Sequence, residues 1–396
     1  MHIAYANRYR NIPTYLFAGL EQKIAQLKAQ GIDVINLSIG DPDLPTPEFI
    51  RQKLEEEVLK TENHRYPESM GQKDFRQAVT TWMKKRFSVD VDADREVNNL
   101  IGSKEGLANI ARAFVNPGER VLCPDPAYSV YAQGATLLCD GVPVRMPLLE
   151  ENNFLPDFEN IPTEELKKSK LLFLNYPNNP TGATAPDSFL KEAVDFCLQH
   201  NLILVYDNAY SEFYFDGVKT RSILEFERAR ECAIELHSLS KTFCMTGDRV
   251  GFAIGNEKLI AGLRKIKSNT DTGTPIYIQK AAIAALESYP NAQRPAEVEN
   301  IMTEYATRRD AFHQALLENG FDRAKKPPAT LYYWLRLPKT YERNCAGFAQ
   351  AALQQGVICT AGTGLGQNGE GYVRFSLTQP ADRLREAAGR LKQLAN

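Results

Sequence analysis

Histidine is scarce in this 396-residue sequence: five residues, at positions 2, 64, 200, 237 and 313, with no HExxH and no Cys/His cluster. A metal centre built from imidazoles is therefore not expected. The seven cysteines contain no CxxC pair and are odd in number, so they read as reduced thiols packed as small hydrophobes. No apolar run is long enough to span a bilayer, and the opening MHIAYANRYRNIPTYLF lacks the uninterrupted apolar core of a signal peptide. The expected compartment is the cytoplasm. An excess of one charge is missing too. The 47 basic and 49 acidic side chains leave a net charge of -2, which argues against nucleic-acid or membrane partners. Neither GxSxG nor a P-loop occurs, which removes two further large enzyme classes.

What is present is a chain with 43% hydrophobic residues, enough for a sizeable core and for two domains. β-Rich runs stand at 120–124 (RVLCP), 170–177 (KLLFLNYP), 202–207 (LILVYD), 233–238 (AIELHS) and 249–255 (RVGFAIG). Helical patterns accompany them, over 187–201 and 257–269. Near-continuous apolar strands alternating with amphipathic helices predict an α/β fold, with a mainly parallel central sheet covered by helices. Such sheets bind ligands at the carboxyl ends of their strands, and Asn179, Asp207 and Ser238 to Lys241 fall at those ends. The last third changes character: a long helical pattern over 296–320, strand-like runs at 330–338 and 371–378, and a closing helix. It predicts a smaller α+β domain. The expected division is a large domain over 45–285 and a small one formed by 1–44 and 286–396.

The stretch HSLSKTFCMTGDRVGF carries the chemistry. Most lysines are solvated, but Lys241 follows an apolar strand and sits among serines. Holding it there disfavours the ammonium form and leaves a nucleophilic amine that can form a Schiff base with an aldehyde. Asp207, at a neighbouring strand end, suits a protonated pyridine nitrogen. Arg249 and the adjacent serines suit a phosphate. A pyridine, an aldehyde and a phosphate together specify pyridoxal 5'-phosphate (PLP).

Three consecutive stretches, PNNPTG (177–182), YDNAYSEF (206–213) and SLSKTFCMTGDRVG (238–251), resemble the signatures of fold-type I, class I/II PLP-dependent aminotransferases. The resemblance runs from SIGDPDLPTP (38–47) to YVRFSLT (372–378). Four stretches, among them NHRYPESMGQKDFRQAV and LIGSKEGLANI, are most similar to LL-diaminopimelate and aspartate-aminotransferase-like enzymes. It implies Lys241 as the Schiff-base lysine and proton shuttle, and Asp207 as the partner of the pyridine nitrogen. Tyr210 and Asn179 would meet the phenolic oxygen. Ser238, Arg249, Ser103 and Lys104 would hold the phosphate, and Tyr128 would stack on the ring. Arg374, with the Gly40 amide beside it, would clamp the substrate α-carboxylate. Tyr66 would reach the phosphate of a second subunit, which makes a homodimer with shared active sites. Tyr15 and the loop around Glu68 and Ser69 would read the distal end of the substrate.

Simpler readings compete at several positions. Ser103 could be only a helix cap, Tyr128 only packing, and the Glu68 loop only solvated. Arg8, Arg10 and the Arg308–Arg309 pair read as surface charges. Asp248 replaces the tryptophan usual in the close relatives, and its carboxylate is expected to pair with Arg249 or another cation. Thr274 and Pro275 also stand where those relatives are more apolar. The implied activity is amino transfer from an L-amino acid, first LL-diaminopimelate, glutamate or aspartate, to a 2-oxo acid. A PLP-dependent lyase or cyclase acting on a hydroxylated basic amino acid, such as an arginine derivative, stays open. It would use the same Lys241, Asp207 and Arg374.

Overall fold

The structure is a computed structural model that describes residues 1, 3–13 and 20–395. A short strand β1 (Ile35–Asn36) precedes the seven strands of the main sheet. These are β2 (Val97–Leu100), β3 (Arg120–Asp125), β4 (Val142–Pro147), β5 (Ser169–Leu174), β6 (Ile203–Asp207), β7 (Ala233–Ser238) and β8 (Gly251–Gly255). Their spatial order is β2-β8-β7-β6-β5-β3-β4. β8 alone runs against the rest, antiparallel to both β2 and β7.

Alternation along the strands sends side chains to both faces. Leu171 and Phe173 join one buried cluster, Leu172 and Leu174 the other. Each aliphatic or phenyl side chain so buried contributes roughly 1.5–3 kcal/mol. The helix Asp187–His200 buries Phe189, Leu190, Ala193, Val194 and Cys197, one stripe at helical spacing. It ends where Asn201 turns left-handed at φ 53°. The helix Glu257–Ser268 starts at Asn256, whose side chain accepts from the Lys258 and Leu259 amides.

Four more strands form the C-terminal part: β9 (Tyr332–Arg336), β10 (Val357–Ile358), β11 (Thr360–Ala361) and β12 (Tyr372–Ser376). They build a three-stranded sheet ordered β11-β12-β9, while β10 pairs in parallel with the N-terminal β1. Among the described residues no helix is long and apolar enough to cross a membrane.

Two arginines read as surface charges are instead buried. Arg308 and Arg309 lie on the helix Ala296–Glu318 and are 3% and 1% exposed. Arg308 donates to Asp43 at 2.6 Å and to Glu304 at 2.8 Å. Arg309 makes two bonds to Asp216, at 2.8 and 3.1 Å, with its guanidinium 4.5 Å from the Phe215 ring centre. A guanidinium can be buried when acceptors surround it, and here Glu304 and Asp310 on the same helix are joined by Asp43 and Asp216 from segments remote in sequence. The pair therefore ties the C-terminal helix to the segments around 43 and 216.

Candidate active site

At the carboxyl end of the main sheet lies a cavity of about 560 Å³. Asp207 is the last residue of β6, and Ser238 the last of β7. Ser238 caps the short helix Leu239–Thr242 through its hydroxyl, which accepts from the Ser240 amide, and this turn places Lys241 in the cavity. Lys241 Nζ donates to the Gly40 carbonyl at 2.7 Å.

Asp207 is 4% exposed, and its Oδ2 accepts from the Tyr131 hydroxyl at 2.7 Å. Its backbone carbonyl accepts from Asn175 Nδ2 at 2.7 Å, and Asn175 Oδ1 in turn accepts from the Asn179 amide at 2.8 Å. Burial pushes the Asp207 carboxyl up to about 6, although the Tyr131 hydrogen bond, the Ala209 amide and the charge of His237 all favour its ionised form. Its Oδ1 is buried with no partner among the described residues. An aspartate prepared this way suits a cation that also donates a hydrogen bond, which is what a protonated pyridine nitrogen offers.

A second group meets at Arg374 on β12. Its Nη1 donates to Asn179 Oδ1 at 2.9 Å and its Nη2 to the Ser38 carbonyl at 2.8 Å. Its guanidinium lies 4.3 Å from the Tyr332 ring centre, and its buried Nε has no partner among the described residues. Tyr210 donates to the Tyr332 hydroxyl at 3.2 Å. Burial raises both phenols, but Arg374 and Lys241 outweigh it at Tyr332, leaving Tyr332 lowered and Tyr210 raised. Gly40 closes this corner, because a Cβ there would overlap the Tyr332 hydroxyl.

The phosphate-like corner is made by backbone and cations. The helix Ser103–Phe114 begins here after Gly102, which is left-handed at φ 70° and lies beneath the Arg249 guanidinium with no room for a Cβ. Ser103, Lys104, Ser238, Ser240 and Arg249 all line the cavity at that helix N-terminus, an arrangement suited to a dianion. Arg249 itself donates to the Thr246 carbonyl at 2.9 Å. Tyr128 also lines the cavity, edge-on to Tyr131 with centroids 5.9 Å apart.

Other expected residues stand elsewhere. Tyr66 is 87% exposed and, like Glu68, is not part of the cavity wall. Glu68 instead approaches Arg76 at 3.4 Å. Tyr15 lies outside the described residues. The expected partner of Asp248 is not found: it forms no ion pair among the described residues, and burial raises its carboxyl. Tyr131, Asn175 and Tyr332 are among the cavity residues that sequence reasoning missed. Tyr131 carried a faint signal, three residues after Tyr128 in a turn that continues as a π-helix, a form common at functional sites.

Residues 32–391 match the family described as aminotransferase class I and II. The chain belongs to this family. Class I/II aminotransferases are PLP-dependent enzymes of fold-type I, so this chain is a PLP-dependent aminotransferase, and the open lyase or cyclase alternative is the less supported one. It is 46% identical over 391 residues to an LL-diaminopimelate aminotransferase of Aquifex aeolicus, covering 98% of this chain and 99% of that one. A second enzyme of that name, from Desulforudis audaxviator, is 47% identical over 393 residues, covering 99% and 98%. Among solved structures, substrate-bound BacF from Bacillus subtilis superposes with a TM-score of 0.93 at 36% identity, covering 100% of this chain and 99% of that one. The unpartnered Asp207 Oδ1 and the cation-lined helix N-terminus fit the two ends of PLP, its ring nitrogen and its phosphate.

Proposed function

We propose that this aminotransferase takes its amino group from LL-diaminopimelate and passes it to 2-oxoglutarate. The observation that carries the donor is the identity of 46 to 47% with two LL-diaminopimelate aminotransferases over essentially whole chains.

When bound, the cofactor supplies a carbonyl that takes up the amino group and a ring that accepts the electron pair released at the substrate Cα. Lys241 holds the cofactor and moves the proton from Cα, as base and then as acid. Asp207 keeps the ring nitrogen protonated, with Tyr131 fixing the carboxylate. Tyr210 and Asn179 face the phenolic oxygen. Ser103, Lys104, Ser238 and Arg249 hold the phosphate, and Tyr128 covers the ring. Arg374, already fixed by Asn179 and the Ser38 carbonyl, takes the substrate α-carboxylate in a two-pronged contact beside Gly40.

The reading extends to a homodimer in which Tyr66 and Glu68 complete the cavity of a second copy, Tyr66 at its phosphate and Glu68 at the distal ammonium. The exposure of Tyr66 supports it. The same reading assigns Tyr15, which lies outside the described residues, to recognition of the distal end of the substrate. The pairing of β1 with β10 and the separate three-stranded sheet support a large domain over 45–285 and a small one from 1–44 with 286–396. Seven free cysteines support a reducing compartment, the cytoplasm.

A single half-reaction tests the function. PLP-loaded protein is mixed with LL-diaminopimelate, glutamate or a hydroxylated arginine, with no 2-oxo acid, while the cofactor absorbance is followed. One equivalent of pyridoxamine phosphate per chain, fastest with LL-diaminopimelate and reversed by 2-oxoglutarate, is the expected result. Release of ammonia or water with no pyridoxamine phosphate would overturn amino transfer. Glutamate outpacing an inert LL-diaminopimelate would overturn the donor.

A further inference from the structure

A second cavity, of about 690 Å³, lies on the seam between the main sheet's connections and the C-terminal sheet. It shares no residue with the catalytic one. Three aromatic rings build one side. Trp334 and Tyr372, on β9 and β12, stack with centroids 5.2 Å apart and planes 5° from parallel. Phe154 meets Tyr372 edge-on at 6.1 Å. Its position is held by unusual backbone: Asn153 and Phe154 are consecutive left-handed residues, at φ 52° and 59°, and neither is glycine. Such strain persists where surrounding contacts over-determine it, and sites that bind ligands concentrate it. Here the Phe154 amide donates to Leu149 and its carbonyl accepts from the Tyr176 hydroxyl, each at 2.8 Å.

The remaining wall is cationic. Five basic side chains line the cavity against two carboxylates, Glu150 and Asp187. Glu150 is already committed, accepting from Lys325 at 2.5 Å and from both Arg336 and Tyr372 at 2.8 Å. Lys219 is exposed and forms no ion pair among the described residues, while Lys326 is shared between Asp310 at 3.5 Å and Asp216 at 3.7 Å. The Trp334 indole N–H is buried without an acceptor. An aromatic wall beside an unpaired Lys219, with Lys326 held by two carboxylates at 3.5 and 3.7 Å, matches a flat ring that carries a negative charge.

The position of this cavity gives it a route to the catalytic one. Trp334 is the cross-strand partner of Arg374, and Tyr372 precedes Arg374 by two residues on β12. Side chains two apart on a strand share a face. The stacked pair and the arginine thus form one continuous surface, which also carries Tyr332.

We propose that the seam cavity binds a small aromatic carboxylate, its ring against Phe154, Trp334 and Tyr372 and its charge toward Lys219 and Lys326, and that its occupancy shifts the carboxylate affinity of Arg374. The binding half is independent of the function proposed above. The coupling half rests on Arg374 holding the substrate carboxylate.

The probe is 2-naphthoate, titrated calorimetrically into PLP-loaded protein with saturating 2-oxoglutarate occupying the catalytic cavity. One site per chain is expected. Its affinity should fall about tenfold in Phe154→Ala and again in Lys219→Met/Lys326→Met, and uncharged 2-naphthamide should bind far more weakly. In steady state, 2-naphthoate should change the KM of the amino donor at least about twofold with kcat held. Absence of binding at millimolar 2-naphthoate would overturn the site. So would binding indifferent to those substitutions and seen only when 2-oxoglutarate is left out, which locates the probe at Arg374. Binding in the seam with an unmoved KM would overturn the coupling.

Discussion

The two ends of the catalytic cavity are built differently. At the ring end Asp207 and Ser238 are buried, Lys241 is half-buried, and each is fixed by hydrogen bonds. Asp207 is fixed through its carboxylate by Tyr131 and through its carbonyl by Asn175, while Ser238 caps the turn that presents Lys241. The distal end is, on the proposed reading, completed by a second copy: the Glu68 that would serve it approaches Arg76 at 3.4 Å, and Tyr66, proposed for the phosphate, is almost fully exposed nearby in sequence. The difference follows from what each end must do. Electron withdrawal by a ring demands fixed charges at low dielectric, and their positions cannot wait for the substrate. Choosing among amino-acid side chains demands only a difference in affinity, which residues assembled later, from a second copy, can provide.

If the ring end is where chemistry resides, removing its groups must cost turnover far more than affinity. Lys241→Ala is expected to bind PLP still, through Asp207 and the phosphate corner, yet to lose roughly 10³–10⁴-fold in single-turnover proton transfer at Cα. Stopped-flow absorbance checks this. A loss under tenfold would break the comparison at its strongest point. Arg374→Lys is expected to lower kcat/KM by roughly 10–10²-fold for every carboxylate substrate alike, because a lysine cannot reproduce the forked contact. Unequal losses between donors would move Arg374 into side-chain selection and blur the two ends.

The ring end should also announce itself in stability. The Asp207 carboxyl lies at about 6 in the folded protein against 3.8 as its ordinary value, so the folded state holds a proton that the unfolded state has already released. The sign is therefore destabilising as pH rises: protein without PLP should lose about 2–3 kcal/mol between pH 4 and pH 7 through this group. Thermal melts of the PLP-free protein across that range, with Asp207→Asn as the reference, should show the excess pH dependence in the natural sequence alone. PLP should abolish it, since its ring cation stabilises the carboxylate. An equal slope in both proteins would mean that Asp207 stays ionised without PLP.

These contrasts also explain what could be read from sequence. The strands β3, β5 and β6 were legible because both their faces are buried, which leaves near-continuous apolar runs, and β7 was legible despite the buried Glu235 and His237 within it. β2 and β4 were not. The first is half asparagine, Asn98 and Asn99, with both side chains buried. The second is an edge strand that carries two prolines, tolerated because its outer edge pairs with nothing. Lys241, Asp207 and Ser238 were legible as polar residues ending apolar strands. Tyr131 and Tyr332 were not, since a tyrosine in an apolar run reads as packing until its hydroxyl is seen to meet Asp207 or Tyr210. Arg308 and Arg309 failed for the same reason in reverse: their acceptors, Asp43 and Asp216, lie 265 and 93 residues away, a distance no local pattern encodes.

The smallest expected effect bears most directly on the second copy. Tyr66→Phe removes one hydroxyl that, on the proposed reading, donates to the phosphate held by a second copy. PLP should then dissociate about tenfold more readily, with the half-reaction rate of the loaded protein nearly unchanged, since one hydrogen bond to a charged group contributes about 1.5–3 kcal/mol. The decisive form of the measurement uses mixed dimers. A chain carrying Tyr66→Phe is paired with one carrying Lys241→Ala, so that each possible cavity is defective in a known way. If Tyr66 serves its neighbour, the cavity that keeps Lys241 lies in the Tyr66→Phe chain and receives its tyrosine from the Lys241→Ala partner, so it should hold PLP with full affinity. If Tyr66 serves its own chain, that same cavity should hold PLP tenfold more weakly. Equal affinity in mixed dimers and in Tyr66→Phe homodimers would therefore return Tyr66 to its own chain, and the phosphate corner would lose its dependence on a second copy.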